Sequence, residues 1–105
     1  DTILKTGTAG ENIYNNGQGV VVSSGYNLSN DNAGGFFIAT GDRINTDPLL
    51  GPLQNNGGST FTHALLTGSP ASDSGNPNFT APPYFDQRGS GYNRLANGRL
   101  DIGAF

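Results

Sequence analysis

The side chains that could do chemistry are few, and their spacing gives catalysis little support. His63 is the only histidine, within Phe61-Thr62-His63-Ala64-Leu65. As a general base it would need Ser59 or Ser69 and Asp73 as partners. No Gly-x-Ser-x-Gly elbow accompanies them, and a triad is defined by geometry rather than by chain order. His63 is therefore read as a structural histidine bonded to backbone. Glu11, Asp31, Asp42, Asp47, Asp73, Asp86 and Asp101 could supply a glycosidase pair of carboxylates. They lie mainly among turn residues, where an Asp side chain captures nearby backbone amides. That use is the one expected here. Asp86, Arg88 and Asp101 are expected to tie down the last strand through charge-assisted hydrogen bonds.

Calcium is the one metal the residue types would suit. Asn30-Asp31-Asn32-Ala33-Gly34 offers oxygen ligands near a glycine but lacks the twelve-residue loop and bidentate glutamate of a calcium hand, and it reads as a turn. No cofactor is expected. Gly17-Gln18-Gly19 and Gly89-Ser90-Gly91 are too short to cradle phosphate. Asn27-Leu28-Ser29 and Asn78-Phe79-Thr80 match the glycosylation sequon, which makes Asn27 and Asn78 candidate attachment sites. Tyr84, Phe85 and Tyr92 could stack on sugar rings, although packing is the commoner use of aromatic residues in a small domain.

The elements that must position these residues are short. The chain has 105 residues, enough for one domain. It carries 17 glycines and no Cys, Met or Trp, and only 12% of its residues are charged. Such a composition fits short strands joined by many turns and is poor for helices. The absence of cysteine excludes disulfides and thiolate metal sites. A net charge of -3, with no run of Lys or Arg, argues against a nucleic-acid partner. No stretch has the apolar length of a membrane span. The chain reads as a mature or trimmed piece, opening inside a strand pattern at Asp1 and stopping mid-motif at Phe105, so missing targeting segments carry no information.

In order, strands are expected at Thr2-Ile3-Leu4, Asn12-Ile13-Tyr14 and Val20-Val21-Val22, the last being the strongest β run. Phe36 to Ala39 reads as a buried strand or cap segment. Leu49, Leu50, Leu53, Phe61, Ala64, Leu65 and Leu66 cluster around Gly-Pro, Asn-Gly-Gly and Gly-Ser-Pro breakers, a pattern of short buried runs alternating with turns. Residues 67–83 are loop, with no room for a helix among their prolines and glycines. Leu100, Ile102 and Phe105 are expected to form the last strand.

Several motifs, in order, resemble the C-terminal region of bacterial right-handed parallel β-helix proteins of the choice-of-anchor type. They are Ser23 to Asp31 (Ser-x-Gly-Tyr-Asn-Leu-x-x-Asp), Gly41-Asp42 through Leu50, Asp47-Pro48-Leu49-Leu50-Gly51-Pro52-Leu53-Gln54-Asn55-Asn56-Gly57-Gly58, Thr62 to Asn76, Asp86-Gln87-Arg88-Gly89 and Asp101-Ile102-Gly103-Ala104-Phe105. Ser59, Thr67 and Ser72 depart from the pattern. The resemblance implies an all-β fold, with residues 1–32 as the last coils of a β-solenoid and residues 33–105 as a C-terminal cap with long Gly/Pro-rich loops. It implies structural cap roles for Asp47, His63, Asp73, Asp86, Arg88 and Asp101. Two coils are fewer than a repeat architecture needs. Upstream coils or another copy of the chain are therefore expected to cover an open face. The functional expectation is a non-enzymatic structural module of an extracellular or cell-surface protein, self-assembling into a fibre through exposed strand edges. The alternatives are a fragment of a polysaccharide-binding or polysaccharide-cleaving protein, with glycans as partners, and an adhesin tip whose loops between Gly68 and Gly98 touch a neighbouring cell.

Overall fold

The computed structural model describes residues 1–103. The described residues form six short strands joined by turns: β1 (Ile3–Leu4), β2 (Leu28–Ser29), β3 (Leu50–Gln54), β4 (Thr62–Leu65), β5 (Leu95–Ala96) and β6 (Arg99–Leu100). One 3-10 turn, Ala33–Gly35, lies between β2 and β3. The strands make separate two-stranded sheets: β1 with β2 in parallel, β3 with β4 and β5 with β6 antiparallel. Among the described residues no helix is long and apolar enough to cross a membrane.

This architecture corrects the β-helix expectation: the described residues form no solenoid. Among the described residues, parallel pairing is confined to β1 with β2 and to one bridge from Leu28 to Arg43. Ile3, Leu28 and Arg43 are unequally spaced along the chain, so no repeating coil is generated. After Arg43 the path reverses into the antiparallel β3–β4 hairpin. A solenoid needs successive coils of similar length stacking over a continuous core, and neither condition is met.

The parallel region is held together by polar side chains as much as by ladder bonds. The Leu28 amide donates to Thr2 O (2.8 Å) and the Ser29 amide to Arg43 O (2.8 Å). The ladder then continues through asparagine side chains: Asn27 Oδ1 accepts from the Thr2 amide (3.0 Å) and Asn30 Oδ1 from the Thr6 amide (2.9 Å). Gly25 lies where this region closes. Its φ is +93°, and a Cβ there would sit 2.4 Å from Thr40 O, so only glycine fits.

Leu28, Ala71 and Ile102 form the buried core, with Ile3 and Leu65 packed against it. Ala33 and Leu100 are also buried. The hairpin contributes less to the core than its leucines implied, since Leu49, Leu53, Phe61 and Leu66 are all exposed. The expected strands at Asn12–Tyr14, Val20–Val22 and Phe36–Ala39 are absent. Phe36 and Phe37 are half-buried, while Ile38 is 87% exposed. The last strand holds Leu100, with Ile102 following it into the core; Phe105 lies outside the described residues.

Candidate functional site

An open groove of about 810 Å³ lies between β1 and the β3–β4 hairpin. Thr2, Ile3, Lys5 and Thr6 form one wall; Leu50, Leu53, Phe61 and His63 form the other. Strand geometry explains the character of the first wall. Successive residues direct their N–H and C=O groups to opposite edges of a strand. Thr2 O and Leu4 O accept from the Leu28 and Asn30 amides. The backbone groups of Ile3 and Lys5 therefore face away from β2, and no strand among the described residues pairs with that edge. Apart from His63, the second wall is apolar and uncovered: Phe61 is 63% exposed and Leu53 58%. Lys5 spans the groove's rim, donating to Asp47 Oδ1 at 2.9 Å. Asp47 also accepts from the Leu49 amide. Hydrogen bonding from Lys5, then from that amide, holds its carboxyl below the ordinary value, against a smaller opposing effect of desolvation.

His63 is exposed on β4, and its Nδ1 donates to Gly51 O at 2.7 Å. In the neutral ring this leaves Nε2 as an acceptor. Two of its candidate catalytic partners, Ser69 and Asp73, are engaged elsewhere. The Ser69 hydroxyl donates to Pro48 O and accepts from the Ala71 amide. Asp73 is linked through its amide to Asp101 Oδ1 at 2.7 Å. No hydrogen bond among the described residues joins His63, Ser69 and Asp73.

The acids mostly organise backbone. Asp31 accepts from the Asn12 amide, the Ser29 hydroxyl, the Ala33 amide and the Asn12 side-chain amide. These bonds, the Asn12 amide foremost, lower its pKa to about 2. Asp42 is penalised by burial. Bonds from the Ser23 hydroxyl, the Asn27 and Ala39 amides and the Asn27 side chain outweigh that penalty, so its pKa also falls. The expected calcium segment around Asp31 is thus a turn whose carboxylate is surrounded by hydrogen-bond donors. Among the described residues no group of three or more His, Asp or Glu side chains could hold a metal ion.

Asp86 and Arg88 form an ion pair at 2.6 Å with little exposure of either side chain. Their loop packs on the Asn56–Gly58 turn instead of on the last strand: Arg88 stacks over Tyr92 at 4.2 Å and donates to Asn56 O. A Cβ on Gly57 would meet the Tyr92 hydroxyl. Of the expected ties on the last strand, Asp101 makes one, through the Asp73 amide. Arg99, which the sequence did not single out, makes another to Gly75 O (3.0 Å).

The two sequons differ. Asn27 is buried, with its amide nitrogen donating to Ser23 and Asp42, so a glycan there would replace one of those two donor hydrogens and cost at least one bond. Asn78 is exposed. Tyr84 is exposed, and Phe85 lies with Gln87 and Arg94 around a smaller depression of about 380 Å³.

Sequence reasoning missed Asn12, whose side-chain amide reaches Leu4 O, Ser29, Asn30 and Asp31. It also missed that the strongest β run is left unpaired. Comparison with protein-family models, with curated proteins and with solved structures finds no match to this chain.

Proposed function

We propose that the chain is a non-enzymatic structural module of an extracellular or cell-surface protein that joins copies of itself through open strand edges. The observation that carries this reading is unsatisfied surface. The chain exposes 6456 Å², against about 5,600 Å² for a folded monomer of this size. Its radius of gyration is 14.2 Å, where about 13 Å is usual. Val20, Ile38, Tyr14 and Val22 are the most exposed of the large hydrophobic side chains among the described residues. Apolar surface of this kind marks association sites, and an unpaired strand edge is a template for another chain. The surface location is supported by the motif resemblance.

Sedimentation velocity across a concentration series, with electron microscopy of the same sample at neutral pH, tests the reading. Concentration-dependent oligomers or regular fibres are expected. A monodisperse monomer at every concentration would sink it.

A second reading, glycan binding, draws on Phe85, Gln87 and Arg94, an aromatic face flanked by polar groups beside the groove. Oligosaccharide binding to the chain, lost in Phe85→Ala, would favour it.

A further inference from the structure

Resting on the assembly reading, we infer that Val20–Val22 of one copy adds as a strand to the free β1 edge of a second copy. Its side chains then cover Leu53 and Phe61. The donor is defined by what it lacks. Among the described residues, no hydrogen bond engages the backbone of Val20, Val21 or Val22. The segment from Val20 to Ser24 runs without a bend or turn, and exposure alternates along it, the two-residue period of an extended chain. Val20 is 90% exposed and Val22 79%. β-Branched residues of this kind are the best strand formers.

The acceptor matches in length and chemistry. Ile3 and Lys5 present two N–H and two C=O groups on the open edge. Val20 and Val22, two positions apart, present the same number on one edge of the donor. The opposing groove wall is apolar at Leu50, Leu53 and Phe61. The stretch from Asn12 to Ser24 contains no charged residue, so its entry buries no ionised side chain from the donor. The occupant is a second copy because donor and acceptor are complementary parts of one sequence, and among the described residues no hydrogen bond or strand pairing joins them within one molecule. Pairing a donor on one surface with an acceptor on another is heterologous, which gives a ring where the rotation closes and a head-to-tail filament where it does not.

The chain has no cysteine, which makes disulfide trapping clean. Val21→Cys and Val22→Cys chains, one for each face of the donor, are each mixed with Leu53→Cys chains and oxidised. Sedimentation of the unmodified chain is run in parallel. One of the two mixtures is expected to give a covalent dimer in at least tenfold excess over either variant alone. A peptide of residues 18–24 is expected to suppress it. Assembly by sedimentation without a mixed dimer from either donor overturns the strand addition and leaves the assembly reading standing. No assembly at any concentration overturns both.

Discussion

Two β-prone segments, Leu28–Ser29 and Val20–Val22, meet opposite fates. Leu28–Ser29 pairs on both sides, with β1 and with Arg43, and is fully buried. Val20–Val22 has the stronger strand preference and pairs with nothing described. Neighbouring polar side chains account for the difference. Around β2, Asn27, Asn30, Asp31, Asp42 and Asn12 capture the loose amides and carbonyls of three chain segments. The Val segment has no such escort: its upstream asparagines, Asn15 and Asn16, bond only within their own turn. In so small a core, which strand pairs is set by who satisfies the backbone, ahead of intrinsic propensity.

The sharpest way to break this comparison is to shorten one side chain in each segment. Leu28→Ala is expected to cost about 2–5 kcal/mol in urea unfolding, a large share of a domain's net stability. Val20→Ala is expected to stay within about 0.5 kcal/mol of the parent. A similar loss at both positions would mean that the Val segment is packed in solution. Gly25→Ala comes next. Its Cβ overlaps Thr40 O in a left-handed backbone, so a loss of about 1–3 kcal/mol is expected by the same measurement.

Acid should then dissolve the polar escort selectively. Asp31, Asp42 and Asp47 have folded pKa values below their unfolded ones. Their stabilisation is therefore fully present above the unfolded carboxylate range near pH 4, and is lost as pH falls toward about 2. Urea midpoints are expected to be flat above pH 5 and to fall below pH 4, with a shallower fall in Asp31→Asn. A midpoint insensitive to acid would remove the carboxylates from the account. The smallest effect on folding is expected for Val20→Thr with Val22→Thr, which should leave the urea midpoint unchanged while reducing oligomer formation in sedimentation.

Much of the local grammar was legible in the sequence. The Asn-Gly-Gly breaker after Gln54 and the Gly-Ser-Pro breaker after Leu65 do flank β3 and β4, whereas Gly51-Pro52 falls inside β3, where the register shifts, and Asp31, Asp42 and Asp47 do cap turns. Three things were not. The motifs pointed to a solenoid, but motifs describe turns and caps, and unequal spacing between paired segments prevents coils from stacking. The leucine and phenylalanine clusters of the hairpin read as buried, yet a two-stranded sheet with one packed face leaves Leu53 and Phe61 outside. Asn12 could not be singled out because its importance comes from meeting residues near position 30, a long-range contact with no local signature.

Amide hydrogen exchange, read at Val20–Val22 and at Ile3 and Lys5 in dilute and in assembled samples, tests the central claim most directly. The account predicts fast exchange at these positions in the dilute chain and protection of both segments together on assembly. Protection already present in the dilute chain, or assembly that leaves both segments exchanging freely, would contradict it.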